Sequence, residues 1–531
     1  MSKRKRKEER SAAARAPEPQ PLRDLPRVVA WIAVALVVAF AVVVRLRLLD
    51  LPLERDEGEY AYAGQLMLRG IAPYALVYNM KFPGTYAAYA LIMALFGQTA
   101  HAIRIGLILV TSATTILVYV LGARLVNRAA GVCAAAAYTL LALILGAQAI
   151  YAHATHFVVL PAVGALVLLS SRRWPLAAGV LLGLAVLMKQ PGAAFALFAV
   201  LWLLVERRFR DAALTVAGGA IAGSATAVWL KIAGVFDKFW FWTIRYAREY
   251  ASVTTWSDAR RYFAQSMHDI IDYAPLLWLT IAIGLALMFV ERSTRRAAVF
   301  VVCYIVASFA AAAAGLYFRP HYFILTFPAV AMAAGGGVVA AMRLLPHGLR
   351  LAPAIAYTIV LIAGVAHQSD VFFRITPDSL TRALNGDSPF VEAPAIGDYI
   401  RAHTAPDDRV VIFGSEPEIY FHAQRKSATG YIYMYPLMEA QPFAKRMQRE
   451  MMAEVDRANP KVIVIVQVEY SWLQRPDSDR AIFDYSERKV NSGYRLEGII
   501  DEVPSGTVYA WGADAARYQP RSRGVIMVFR K

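Results

Sequence analysis

Three carboxylates, Asp56, Glu57 and Glu59, stand in the run Arg55-Asp56-Glu57-Gly58-Glu59-Tyr60, the first of them a dozen residues past the end of an apolar stretch, Val28 to Val44. A carboxylate at the edge of a membrane can take the proton of an incoming hydroxyl. The segment Tyr78-Asn79-Met80-Lys81-Phe82-Pro83-Gly84-Thr85-Tyr86 then returns to the membrane with a lone lysine. One loop therefore brings proton acceptors and a cation suited to a developing negative charge to the same surface. A plainer duty suits the same acids, because a carboxylate ahead of a helix caps its free N–H groups and is worth about 1 kcal/mol there. From Gly58 to Leu68, apolar or aromatic residues at 60, 61, 63, 66, 67 and 68 predict a short helix lying in the interface, with Asp56 or Glu57 at its N-terminus.

The elements that hold this loop are membrane spans. The 531 residues are 58% hydrophobic and only 18% charged, which marks a polytopic membrane protein. About 20 apolar residues cross a bilayer as a helix. Eleven segments qualify or nearly do: 28–48, 101–123, 129–148, 153–170, 175–188, 191–205, 212–233, 274–290, 297–315, 321–342 and 351–367. The apolar stretch 84–97 is too short and is placed as a second interfacial or re-entrant helix. Gly335 to Gly337, inside a span, predict close helix packing. Cys133 and Cys303 both sit in apolar runs and read as buried small side chains.

The net charge of +17 lies in the membrane part, because 21 Lys and Arg face 22 Asp and Glu from residue 368 onward. Residues 1–27, with the run KRKRK, read as a disordered basic tail on the cytoplasmic side, beside anionic lipid. With that tail inside, the inner loops hold twelve arginines, from Arg124 to Arg350, against Lys189 and Arg319 in the short outer loops. Residues 49–100, 234–273 and everything after 367 then lie outside. Basic groups gather at these disfavoured outer ends, and an anionic ligand at headgroup level accounts for them. Snorkelling arginines and lysines account equally well for any one of them. No module or aromatic pattern for nucleic acid is present.

Residues 234–273 are rich in aromatics and offer Arg245 and Arg248 to a phosphate; an interfacial belt and a sugar-stacking surface both fit them. From 368 to 531 the pattern is that of a soluble α/β or α+β domain. Strands are predicted at 410–414, 462–468, 495–500, 507–511 and 525–529, with a helix at 442–457. Glu416 to Glu418 and Gly430 to Tyr433 follow the first strand and read as plain loops.

The run DEGEYAYAGQLMLRGIAPYALVYNMKFPGTYAAYALIMALFG, with HATHFVVLPAVGALVLL, GVLLGLAVLMKQPGAAFALFAVLWLL and FRPHYFILTFPA, resembles the polytopic glycosyltransferases of the GT-C fold over residues 28–345. The branch it is most similar to contains the aminoarabinose transferases of lipid A and the protein O-mannosyltransferases. The resemblance implies a GT-C-like α-helical membrane domain, residues 28–367, carrying an extracytoplasmic α/β domain, residues 368–531. It implies an inverting transfer of a sugar from a polyprenyl-phosphate donor to an envelope glycan, lipid or protein on the outer face of a bacterial cytoplasmic membrane. Asp56 matches the family's base and Glu57 its usual neighbour, while Lys81 matches a contact to the donor phosphate. Arg245 and Arg319 are assigned to the same phosphate, and Tyr60, His156 and His321 to substrate contact. Some members carry a second acid where this chain has His153 and His156, which leaves a divalent metal open. A flippase or transporter of a lipid-linked sugar, using the same outer cations, is the alternative.

Overall fold

The computed structural model describes residues 24–503 and 506–531. The expected basic tail therefore lies outside the described residues as far as residue 23. Fourteen longer helices lead to the soluble part: α1 Arg27–Arg47, α2 Arg55–Leu68, α3 Pro83–Phe96, α4 Ala100–Leu125, α5 Arg128–Leu141, α6 Ala154–Ser170, α7 Pro175–Met188, α8 Ala193–Val205, α9 Phe209–Ile232, α10 Trp256–Asp272, α11 Pro275–Val290, α12 Arg295–Ala312, α13 Phe327–Leu344 and α14 Ala352–His367.

Every one of the eleven expected spans is at least partly helical, but among the described residues six helices are both long and apolar enough to cross a membrane, or seven if the bent pair of α10 and α11 is one span. α10 turns by 103° from α11 and carries polar residues along one side, so it runs across the end of the bundle. α7 and α8 have 14 and 13 residues, and a helix of 14 residues is about 21 Å long. They nevertheless connect the two ends of the bundle. Their junction lies beside α3, where Thr85 donates to the Met188 carbonyl at 2.8 Å, and the far end of α8 meets Arg124 and Arg296 around one cavity.

α13 is the central helix, buried along almost its whole length. Its glycines let neighbours close in as expected: a Cβ on Gly335 would lie 2.2 Å from the Ala130 carbonyl oxygen, and one on Gly337 2.1 Å from the Gly284 Cα.

The soluble part adds α15 Pro377–Asn385, α16 Ala393–Ala402, β1 Arg409–Phe413, α17 Pro417–Ala423, β2 Lys426–Ser427, α18 Ala444–Ala458, β3 Val462–Val466, α19 Ala481–Asn491, β4 Arg495–Val503, β5 Gly506–Trp511 and β6 Val525–Arg530. The sheet order is β2-β1-β3-β6-β4-β5. β2, β1 and β3 are parallel, and β6, β4 and β5 add antiparallel neighbours.

α2 departs from the sequence expectation. Instead of lying in the lipid interface it is buried on all sides from Glu57 to Leu66, between α3 and the soluble domain. Tyr60 packs on Tyr86 and Tyr89 of α3, and Tyr62 stacks on Tyr420 of α17. A single hydrophobic core runs from Tyr60, Tyr86 and Ile103 to Ile412, Tyr420 and Val464, across the boundary between the two domains.

Candidate active site

The start of α2 is fixed by a capping box. Glu54, not Asp56 or Glu57, is the N-cap residue: its carboxylate accepts the N–H groups of Asp56 and Glu57 at 2.9 Å each, and the Glu57 carboxylate accepts the Glu54 N–H at 3.1 Å. Helical phase then separates the three acids. Asp56 and Glu59 are three residues apart and share a face, whereas Glu57 is turned about 100° from Asp56.

Glu57 points into the protein. It is fully buried and accepts from Arg104, whose Nη2 is 2.8 Å away, from Arg104 Nη1, and from the Ala152 N–H. Arg104 also donates to the carbonyls of Leu51 and Pro52, so this pair ties α2, α4 and the loop before α6 together. Asp56 and Glu59 point the other way, to Lys81. The lysine ammonium donates to Asp56 Oδ1 and to Glu59 Oε2, both at 2.7 Å. Glu59 is fully buried and accepts also from Asn79 at 2.9 Å and from the Tyr86 hydroxyl. The Asp56 side chain keeps 25% exposure, and among the described residues its Oδ2 accepts no hydrogen bond. Burial would raise the Asp56 carboxyl, but Lys81, with His321 and His153 beyond it, outweighs burial and holds it well below the ordinary value. Burial raises Glu59, opposed by the same lysine.

Around this pair stand groups from distant parts of the chain. The Tyr433 hydroxyl, from the soluble domain, is 3.2 Å from Asp56 Oδ1 and 3.0 Å from the Arg55 carbonyl. Tyr60 lies beneath Lys81, the ammonium 4.6 Å from its ring centroid. His153 and His321 stack with ring centroids 4.1 Å apart. Lys189 sits 4.1 Å over the Tyr322 ring, and burial, with Lys81 and Arg319 nearby and Asp56 opposing them, pushes its ammonium down to about 7. Arg319 faces Tyr250 and Tyr322.

Two expected site residues lie elsewhere. His156 is buried in the first turn of α6 and bonds the Ala149 carbonyl at 3.0 Å, and Arg245 is exposed on a π-helical turn, Phe241–Tyr246, and among the described residues makes no hydrogen bond or ion pair to the cluster. Glu59 and His153, noted in the sequence without an assigned role, belong to the site, and so do Lys189 and Tyr433, which the sequence did not assign to it. A signal for Lys189 was present, since Lys81-Phe82-Pro83-Gly84 recurs as Lys189-Gln190-Pro191-Gly192. The two turns lie side by side. Gln190 Nε2 donates to the Met80 carbonyl at 2.5 Å, and a Cβ on Gly84 would lie 2.4 Å from the Leu187 carbonyl oxygen, so only glycine allows the approach. Each proline occupies the first turn of a short helix, where its missing N–H costs nothing, and each lysine precedes it.

The stretches read as plain loops of the soluble domain are the docking surface for α2. Arg55 donates to the Ser415 carbonyl at 2.6 Å and to Glu416 at 3.2 Å, and Gly58 packs so closely on α17 that a Cβ there would be 2.6 Å from the Glu418 Cβ. Long-range docking of this kind leaves no local signature in sequence.

Asp56, His153 and His321 each offer a ligand atom within 4.8 Å of the others. Both ring nitrogens of His153 and Nδ1 of His321 are buried without a hydrogen-bond partner, so two imidazoles and a carboxylate fit a divalent ion of the zinc type.

Residues 81–231 match the family model described as dolichyl-phosphate-mannose-protein mannosyltransferase. Among solved structures, ArnT from Cupriavidus metallidurans bound to undecaprenyl phosphate is similar, with a TM-score of 0.61 and 16% identity over 94% of this chain and 98% of that one. The oligosaccharyltransferase AglB from Archaeoglobus fulgidus, in complex with an inhibitory peptide and a dolichol phosphate, gives 0.51 and 12% over 93% and 75%. The arabinofuranosyltransferase AftD from Mycobacteria gives 0.53 and 14% over 96% of this chain and 40% of that one. A search of curated proteins finds no match. Helical bundle, family match and structural neighbours together make this chain a membrane protein of the GT-C glycosyltransferase fold.

Proposed function

We propose that the protein transfers a sugar from a polyprenyl phosphate to an acceptor hydroxyl at the outer face of a bacterial cytoplasmic membrane, with inversion. The acceptor is an envelope lipid, glycan or protein. The observation that carries the reading is the Asp56–Lys81 pair, a carboxylate with one open oxygen held against a cation at the end of the bundle where the other outer cations gather. The arginines of the opposite loops support an outer position for this end.

In this reading the acceptor hydroxyl gives its proton to Asp56 Oδ2, and its oxygen attacks the anomeric carbon from the side opposite the phosphate. The bond from that carbon to the phosphate oxygen breaks, and the electron pair leaves with the polyprenyl phosphate. Lys81, Lys189 and Arg319 stabilise that charge in a setting with little water, where fixed cations act strongly. The lysine pairing adds a control. A carboxylate held low by a cation is a weak base, and a donor phosphate competes for the same ammonium. When Lys81 turns to the phosphate, Asp56 loses its main counter-charge and becomes the stronger base at the moment the donor is in place.

Glu59 holds Lys81 within reach of both partners. Glu57 is the buttress of α2 in this scheme rather than a reacting group, because Arg104, Ala152 and Glu54 already occupy its oxygens. Asp56, His153 and His321 would hold a divalent ion, which when bound would add Lewis-acid charge beside the reacting phosphate.

Mass spectrometry of envelope glycolipids and glycans from cells with and without the protein tests this reading. It requires one glycoside to disappear when the protein is removed; identical envelopes under conditions of expression contradict it.

A further inference from the structure

At the end of the bundle away from Asp56, a cavity of about 380 Å³ opens between the ends of α4, α6, α8 and α12. Its rim carries Arg124, Arg172, Arg208 and Arg296, with Glu206 the one acid among its lining residues. Charge inside it is unbalanced. Glu206 is paired with Arg296 at 2.7 Å, and Arg208 with Asp211 at 2.8 Å. Arg124 and Arg172 have no carboxylate within ion-pair distance among the described residues, and Arg124 bonds only the Val167 carbonyl and Ser170 Oγ. Below the rim the wall is apolar, built of Leu125, Leu166, Leu169, Leu203, Trp202 and Phe300. Two further features place the cavity at headgroup depth. Trp174, exposed, follows Arg172 in the same loop, and Leu197, Leu201 and Val205 of α8 are exposed beside it as a lipid-facing edge.

Basic loops on the cytoplasmic side orient a membrane protein without needing a cavity. Here two uncompensated guanidinium groups overhang an apolar hollow, a combination that matches a phosphodiester with hydrocarbon attached to it. A soluble phosphate would leave the apolar wall facing water. We infer that this cavity binds an anionic glycerophospholipid of the cytoplasmic leaflet, its phosphate between Arg124 and Arg172 and its first methylenes against Leu166, Leu203 and Phe300. The site is separate from the transfer site, and the inference rests on the orientation argued above. A lipid wedged between four helix ends would brace the short helix α8, which lines the cavity with Ala199, Trp202 and Leu203.

The test is native mass spectrometry of the full-length protein released from nanodiscs that contain phosphatidylglycerol, phosphatidylcholine or an equal mixture. The wild type retains phosphatidylglycerol in preference to phosphatidylcholine by about tenfold, the scale expected for two arginines near one phosphate. R124Q/R172Q loses that preference. R173Q/R210Q removes the same charge from the same surface outside the cavity and keeps it. If the first double variant does not yield folded protein, R172Q alone, at an exposed position, lowers the preference by at least about threefold. Equal retention of the two lipids, equal loss in both double variants, or displacement of phosphatidylglycerol by millimolar inorganic phosphate overturns the inference.

Discussion

The Tyr433 hydroxyl lies 3.2 Å from Oδ1 of Asp56, so a residue of the soluble domain touches the carboxylate proposed as base in the membrane domain. Its second partner, the Arg55 carbonyl at 3.0 Å, lets the hydroxyl hold the start of α2 and the Asp56 side chain together. Replacing Tyr433 with Phe removes that contact and leaves the ring in place. A lost hydrogen bond of about 1 kcal/mol lowers kcat about fivefold. Donor affinity stays within about twofold, since no phosphate-facing cation changes. Steady-state kinetics that return a wild-type kcat would remove Tyr433 from the site.

Docking of the soluble domain depends on Arg55. Its side chain is 13% exposed and its partner Glu416 fully buried, with Glu418 beside it. Substitution by Met leaves two buried acids without their cation and costs about 3–5 kcal/mol. Gly58→Ala forces a methyl group into the Glu418 backbone and costs about 1–3 kcal/mol. Both variants are expected to melt earlier and to become sensitive to proteolysis near residue 368, measured in detergent micelles.

Glu418 gives stability a pH dependence. Burial raises its carboxyl well above the ordinary value, Glu416 adds to the rise and Arg55 opposes it, with Glu54 also in reach. Among the described residues, neither Glu418 oxygen has a hydrogen-bond partner. A carboxyl raised on folding binds its proton more tightly in the folded protein. Its contribution is therefore complete at pH values below the ordinary carboxyl range and is lost as pH rises toward the folded value. Melting temperature should fall as pH rises above the ordinary carboxyl range, and Glu418→Gln should flatten that slope and raise the melting temperature on its alkaline side. An unchanged slope in the variant would show that another group sets it.

Lys81 is the cation nearest the candidate base. Lys81→Met is expected to weaken binding of a polyprenyl phosphate at least tenfold, the usual scale for one charge-assisted contact of about 1.5–3 kcal/mol. Isothermal titration with the lipid phosphate alone measures this without an acceptor. Unchanged affinity contradicts the phosphate role.

Much of this arrangement was written in local sequence. Apolar runs gave the helices, and short continuous apolar runs gave β1, β3 and β6 to within two residues of their observed limits. Asp56 and Lys81 were legible as partners because a single loop carries them. Glu59 was legible too: a helix starting at Arg55 sets Asp56 and Glu59 on one face and Glu57 on another, and that phase, not adjacency, separates the reacting side from the buttress. The remaining members come from segments far apart. His153 opens α6, His321 precedes α13, and Tyr433 follows β2. Nothing local distinguishes them from the other histidines and tyrosines, because tertiary packing alone brings them to Asp56. The same holds for α2, whose apolar spacing suits a lipid interface as well as it suits burial under a second domain.

The most direct test is transfer from a radiolabelled polyprenyl-phosphate sugar by protein reconstituted in liposomes with an envelope extract, comparing wild type with Asp56→Asn. The wild type is expected to form a new labelled glycoside and Asp56→Asn to slow this by at least about a thousandfold, within the range lost when a catalytic base is removed, while donor binding and melting temperature persist. Near-normal turnover in the variant, or wild-type protein that moves label across the bilayer without forming a glycoside, would contradict it.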